Sequence, residues 1–194
     1  DTLLEGGNEL PVFEAVPFDH PLWILYSSGT TGAPKAITHS HGGCLLEHLK
    51  YLAFHNDVHP GERFFWYTTT GWMMWNFLHG SMMLGATIVL YDGSPGYPDI
   101  DRLWAFSAEK DIQHFGTSAP YLVACMKEGI YPGSQHDLTS LRSIGSTGSP
   151  LPPEAFQWVY DSIHPRVWLC SIRRGTEVYT AIDRENIEKP VIKG

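Results

Sequence analysis

The stretch YSSGTTGAPKAITHSHGG, residues 26–43, decides the fold prediction because it separates a short apolar run from a segment with helical periodicity. The apolar run PLWILYS, residues 21–27, predicts a buried strand that ends at small residues. The segment from about His41 to Asn56 places its leucines on one face of a helix. Small and hydroxylated residues do not build a core, so we expect the residues between these two elements to hold a ligand.

Short apolar runs and amphipathic segments alternate along the rest of the chain. Further strands are predicted at 62–68, 86–92, 111–116, 141–146 and 166–172. Further helices are predicted at 72–84, 99–109, 119–128 and about 153–163. This alternation predicts an α/β fold with a mostly parallel sheet flanked by helices. In such sheets ligands bind at the carboxyl ends of the strands, which is where the 26–43 stretch is expected to begin.

Composition and charge limit the classes of partner. The net charge is −8 and the 13 Lys and Arg form no basic run, which argues against nucleic acid, since phosphate backbones require clustered positive charge. Three widely spaced cysteines without a CxxC pair indicate a reduced interior. We see no signal peptide and no apolar run of the about 18 residues that a membrane span needs. The sequence therefore predicts a cytoplasmic protein without a membrane span.

The loop between residues 27 and 35 has the chemistry of a phosphate site. Gly29 and Gly32 allow close backbone approach, and successive N–H groups in such a loop form a nest for an anion. The side chains that add donors are Ser27, Ser28, Thr30, Thr31 and Lys35. A polyphosphate suits this set; the alternative is a solvated turn. The spacing is neither Walker A, which needs Ser or Thr directly after GK, nor the dinucleotide pattern GxGxxG.

YSSGTTGAPKAI closely resembles the signature of the adenylate-forming superfamily, which comprises acyl-CoA synthetases, luciferases and peptide-synthetase adenylation domains. The residues that match are Ser27, Ser28, Gly29, Thr30, Thr31, Gly32, Pro34 and Lys35. The stretches 18–32, 55–77, 84–95 and 143–151 resemble the acetoacetyl-CoA synthetase branch in particular. Acetyl-CoA synthetases share part of this pattern. The similarity covers roughly residues 15 to 180, whereas members of the family are several times longer.

The resemblance implies a domain assignment. Residues 1–20 would be a leading segment, 21–182 a central piece of the large N-terminal AMP-binding domain, and 183–194 a tail. The family's C-terminal domain, with its catalytic lysine, would be absent. We therefore expect that the isolated chain does not complete adenylation, and that exposed sheet edges allow it to self-associate.

The resemblance also assigns roles to residues. The 27–35 loop would cradle the β- and γ-phosphates of ATP, with Lys35 also acting in catalysis. The adenine pocket would be lined by Gly145, Ser146, Thr147, Gly148, Ser149 and Pro150, although a plain strand–helix turn is the alternative. Thr176 would touch the α-phosphate, and Glu177 would help to hold Mg²⁺, which prefers carboxylate oxygen. The resemblance gives both Thr176 and Glu177 a catalytic role.

Two assignments have open alternatives. Arg173 and Arg174 stand before Gly175 where the acetoacetate branch has small residues; they could pair with phosphate or mark a divergent motif. Trp72 and Trp75 would border the acid pocket, but Met and Trp at helical spacing are also typical of a helix packed on a sheet.

Three nearby histidines lack the spacing and the further ligands of a metal site.

The implied activity is that of an ATP-dependent carboxylate–CoA ligase of the acetoacetate type, acting through an acyl-adenylate. It would require ATP, Mg²⁺ and CoA as co-substrate, with a small carboxylic acid, and belong to lipid and fatty-acid metabolism. The alternatives are a ligase of the acetyl- or propionyl-CoA synthetase type, or a truncated relative that binds nucleotide or packs without catalysis.

Overall fold

The structure is a computed structural model that describes residues 11–27 and 32–172, together with the backbone of 174–175 and 180–181. Its strands are β1 (Pro21–Ser27), β2 (Lys35–Ser40), β3 (Arg63–Trp66), β4 (Thr87–Val89), β5 (His114–Ser118), β6 (Ser143–Thr147), β7 (Trp168–Ser171), β8 (Arg174–Gly175) and β9 (Thr180–Ala181). The central sheet is parallel and has the order β4-β3-β5-β6-β7. The predicted α/β class with a mostly parallel sheet is therefore confirmed.

Six α-helices connect or flank these strands in the described part of the chain. They are α1 (His41–Phe54), α2 (Met73–Gly80), α3 (Arg102–Glu109), α4 (Ala119–Lys127), α5 (Pro132–Gln135) and α6 (Pro153–Ser162). A 3-10 turn, Ser81–Leu84, continues α2. Local sequence explains two of the helix starts, because the Ser40 hydroxyl accepts from the Gly43 N–H and the Ser118 hydroxyl from the Tyr121 N–H. No helix in this part is long and apolar enough to cross a membrane.

The sheet separates two apolar cores because successive strand residues point to opposite faces. On one face, α3, α4 and α6 cover a row of side chains from four adjacent strands: Phe65, Phe115, Ile144 and Leu169. On the other face, Phe64 and Trp66 pack with residues of α1 and α2. The carboxyl ends of β3, β5 and β6 emerge between these two layers, which fixes where a ligand could enter.

The strand predicted at residues 21–27 is present, but the prediction that it is buried was wrong. β1 pairs antiparallel with β2 in a two-stranded hairpin outside the central sheet. Ile24 and Tyr26 are 60% and 68% exposed. An apolar run alone cannot distinguish a strand buried on both faces from one arm of an exposed hairpin. The 27–35 loop therefore joins two antiparallel strands, and the helix begins only after β2.

Candidate functional site

A cavity of about 690 Å³ opens at the carboxyl edge of the parallel sheet. We call it the carboxyl-edge cavity. Its walls come from the ends of β3, β5 and β6, from the start of α2 and from β1. The residues that line it are Leu25, Tyr26, Trp66, Tyr67, Gly71, Trp72, Met73, Met74, Thr117, Ser118, Pro120, Thr147 and Gly148. This is the edge where an α/β sheet is expected to bind its ligand.

The predicted adenine segment contributes to this cavity through its middle residues. Thr147 and Gly148 line it, and the Thr147 hydroxyl donates to the Thr117 carbonyl at 3.4 Å. Gly148 has φ +92, a conformation that side-chain-bearing residues rarely adopt. Ser146 is completely buried, and the backbone of Gly145 lies under the Trp66 ring. Ser149 and Pro150 are exposed and do not line the cavity.

The two ends of the 27–35 loop are held by the hairpin. Ser27 ends β1 and Lys35 begins β2, and the two are register partners. Lys35 and Gly32 are exposed. Ser28, Gly29, Thr30 and Thr31 lie outside the described residues. Because Tyr26, next to Ser27, lines the cavity, the hairpin brings the end of β1 from which the loop leaves to the rim of that cavity.

The predicted magnesium and α-phosphate residues, Thr176 and Glu177, also lie outside the described residues, as does Arg173. The backbone on either side forms a short antiparallel pair, in which Gly175 is the partner of Thr180. In the part of the chain that the structure describes, no three His, Cys, Asp or Glu side chains are grouped as a metal site.

The two tryptophans predicted to border an acid pocket occupy different places. Trp72 precedes α2, is 61% exposed and lines the cavity. Trp75 does not line it; its ring packs on His79 with the ring centroids 4.5 Å apart. The packing alternative thus describes Trp75 better, whereas Trp72 is available to a ligand.

Trp66, Met73 and Met74 also line the cavity, although only Trp72 and Trp75 were predicted as pocket residues from this aromatic part of the sequence. The available signal was a glycine inside each of two strands, Gly116 and Gly145. A glycine in a strand interior often marks a site where another group approaches closely. Here that group is the Trp66 indole, which lies against both glycines.

The opposite, amino edge of the sheet carries a cluster of charged residues. The Glu62 carboxylate accepts from Arg142 and, at 2.7 Å, from His114 Nε2, while Arg142 also donates to Asp57 at 2.6 Å. His114 Nδ1 lies 2.7 Å from the Ser143 hydroxyl. These contacts fit a neutral imidazole that donates from Nε2 and accepts at Nδ1.

Burial and hydrogen bonding together shift the pKa values in this cluster. Burial lowers the pKa of His114, although the hydrogen bond to Glu62 acts in the opposite direction. Burial alone would raise the pKa of Glu62, but hydrogen bonds from His114, the His59 backbone and Arg142 together hold it below its usual value. The cluster pairs its own charges across β3, β5 and β6, so we assign it a structural role.

Comparisons with known proteins agree with this geometry. A family described as AMP-binding enzyme matches residues 5–170. Acetoacetyl-coenzyme A synthetase of Rhizobium meliloti (strain 1021) is 52% identical over 94% of this chain and 28% of its own length. Acetoacetyl-CoA synthetase of Danio rerio is 45% identical over 94% of the chain and 27% of its own. A solved structure, acetoacetyl-CoA synthetase from Streptomyces lividans, covers 95% of the chain with 50% identity and TM-score 0.89. That match spans 29% of the solved chain, so this chain corresponds to less than a third of these relatives.

Proposed function

Because the chain belongs to the AMP-binding enzyme family, we propose that it forms the nucleotide- and acid-binding part of an ATP-dependent carboxylate–CoA ligase of the acetoacetate type. The observation that carries the proposal is the carboxyl-edge cavity, which meets both the hairpin of the 27–35 loop and the 145–150 segment. The hydroxyl-bearing residues of its lining suit a nucleotide, and the Trp and Met residues suit the carbon chain of an acid.

The reaction proceeds in two steps under this proposal. A carboxylate oxygen of the acid attacks the α-phosphorus of ATP, and pyrophosphate leaves with its bonding electrons to give an acyl-adenylate. The thiol of CoA then attacks the acyl carbon, loses its proton and expels AMP. The chain's own part is to align the two reactants and to offset phosphate charge, through Lys35 and the N–H groups of the loop.

Glu177 and Thr176 complete the proposed nucleotide site. Mg²⁺, when bound, would neutralise phosphate charge, and a carboxylate such as that of Glu177 is a ligand type that it prefers. Thr176 would donate to the α-phosphate. Since the chain spans less than a third of its relatives, we do not expect the isolated 194 residues to release pyrophosphate at a useful rate.

The acid is proposed to be acetoacetate, on the strength of relatives that carry this activity in their names. Acetate and propionate are the competing acids. The proposal also assigns residues 21–182 to the AMP-binding domain and the protein to the cytoplasm and to fatty-acid metabolism. The three cysteines support a reducing compartment, because all are buried and none forms a disulfide. Exposed apolar side chains on β1 would allow self-association.

Calorimetric titration with Mg-ATP tests the nucleotide part of the proposal. The chain is compared with Lys35→Ala and with a matched control, Lys127→Ala, in which the exposed lysine lies at the end of α4. Loss of a charged hydrogen bond to phosphate should weaken binding by about tenfold or more in Lys35→Ala alone. A folded chain that binds no Mg-ATP, or equal affinity in all three proteins, would overturn the proposal for this chain.

A further inference from the structure

Trp66 occupies a slot that two glycines create on neighbouring strands. Trp66, Gly116 and Gly145 are register partners along β3, β5 and β6. A Cβ added at Gly116 would lie 2.7 Å from Trp66 Cε2 and closer still to Cδ2 and Cε3. A Cβ added at Gly145 would lie 2.6 Å from Trp66 Cζ3 and closer still to Cη2. The indole therefore extends across both strands, flat enough against the sheet that only glycine fits beneath it.

Other aromatic side chains fix the indole in that position. Phe64 is stacked with it, with ring centroids 6.5 Å apart at 22°, and Phe77 meets it edge-on at 5.7 Å. Both phenylalanines are fully buried, and Trp66 itself is only 4% exposed. The strands below and these rings beside it leave the indole little freedom to move. The indole also lines the carboxyl-edge cavity.

Trp66 is one of the apolar residues that line this cavity. Trp72, Met73 and Met74 are further apolar members of the lining, whereas Thr117, Ser118 and Thr147 contribute hydroxyl-bearing side chains to it. A carboxylic acid whose carboxylate accepts from one of these hydroxyls would extend its carbon chain among the apolar residues, Trp66 included. A rigid, buried ring in that lining limits how many carbons can be placed before they collide with it.

We infer that Trp66 is a specificity-determining residue that restricts the cavity to short-chain acids. The inference rests on the proposed function, since it assumes that the cavity takes a carboxylic acid. Shortening the side chain at position 66 should extend the cavity over Gly116 and Gly145, which have no side chains to fill the space. Acids with longer carbon chains would then make apolar contacts that the Trp66 side chain prevents in the native protein.

Ligand-observed NMR titration of the 194-residue chain with butanoate, hexanoate and octanoate tests this inference, with and without Mg-ATP. The variants are Trp66→Leu and the milder Trp66→Phe, which keeps the inference testable if the leucine variant does not fold. The matched control is Trp104→Leu, because Trp104 is fully buried in the core on the other face of the sheet and does not line the cavity. Circular dichroism checks folding in each case.

The readout is the ratio of the dissociation constants for octanoate and butanoate, which a general loss of stability would not change. Each methylene that becomes buried should contribute about fourfold in affinity. We expect the ratio to fall about 15-fold in Trp66→Leu, which corresponds to two methylenes, less in Trp66→Phe, and not at all in Trp104→Leu. An unchanged ratio in both folded Trp66 variants would overturn the inference.

The other outcomes separate this inference from the proposed function. A native chain that binds Mg-ATP but none of the three acids would overturn the inference and leave the nucleotide site standing. A native chain that binds butanoate more tightly than octanoate but does not bind Mg-ATP would support the inference and contradict the nucleotide part of the proposal. A native chain that prefers octanoate would overturn the inference alone.

Discussion

The packing of Trp66 on Gly116 can be tested through its effect on stability, independently of any ligand. In Gly116→Ala, the new methyl group would lie 2.7 Å or less from three atoms of the indole, whereas ordinary carbon contacts begin near about 3.5 Å. The ring would have to shift by roughly 1.5 Å to relieve the closest of these contacts, and Phe64 and Phe77 oppose that shift. Overpacking of this kind costs about 1–3 kcal/mol, and the locked ring places this site near the upper end.

Removing the ring should remove most of that cost. In a Trp66→Leu background the methyl group at position 116 meets a smaller side chain. We expect Gly116→Ala to cost less than about 1 kcal/mol there, partly because alanine reduces the entropy of the unfolded chain. Trp66→Leu alone should cost about 3 kcal/mol, as large-to-small core substitutions do. The coupling free energy between the two positions is then about 2 kcal/mol.

Urea unfolding followed by far-UV circular dichroism measures all four proteins of this double-mutant cycle. Gly96→Ala is the control, since a Cβ added at Gly96 would meet nothing within 4 Å. That variant should differ from the native chain by less than about 0.5 kcal/mol. If Gly116→Ala costs the same in both backgrounds, so that the coupling is below about 0.5 kcal/mol, the reasoning about the slot is refuted.

Two further predictions concern the turn after β6 and the amino edge of the sheet. Gly148→Ala should cost about 1–2 kcal/mol in urea unfolding because φ at this position is +92; a cost no larger than that of Gly96→Ala would contradict it. The free energy of unfolding should fall as the pH is lowered, because burial lowers the pKa of His114 and hydrogen bonds outweigh burial to lower that of Glu62. Their contribution is complete above about pH 6.5 and is lost as the pH falls through the folded-state pKa values. His114→Gln removes the histidine titration and a hydrogen bond that lowers the pKa of Glu62, so its melting temperature should decline less between pH 7, 5.5 and 4 than that of the native chain; equal declines would rule out this origin.

Periodicity in the sequence was sufficient for the central sheet and its helices. Apolar runs bounded by turn residues identified the five parallel strands, and helical spacing identified five of the six described α-helices, the exception being α5. The same reasoning failed for β1, because an apolar run does not show which neighbour will cover it. Leu25 and Tyr26 both line the cavity, yet Tyr26, like Ile24, remains largely exposed on the hairpin. Burial of such a strand depends on tertiary contacts that a local pattern does not contain.

The candidate site was predictable where its residues are contiguous in sequence and not where they meet across strands. The 27–35 loop and the 145–150 segment could be identified because each is a short, continuous stretch that resembles a motif of the family. The slot for Trp66 could not, because it requires the register of three strands that are far apart in the chain. Glycine in a strand interior signals close approach, but only the structure identifies which group approaches.

The amino and carboxyl ends of the sheet differ in how the side chains of the same three strands are arranged. At the amino end, side-chain contacts tie β3, β5 and β6 together, since Glu62 binds His114 from β5 and Arg142 at the start of β6. The partly buried Glu62 carboxylate is tolerated there because both partners donate to it. At the carboxyl end, the same three strands present two glycines and the Trp66 ring, and the space above them is left as a cavity. Because backbone ladder hydrogen bonds set the strand register along β3, β5 and β6 and the charge pairs add to them at the amino end, the carboxyl end can leave a cavity without losing the register that positions Trp66, Thr117 and Thr147 around it.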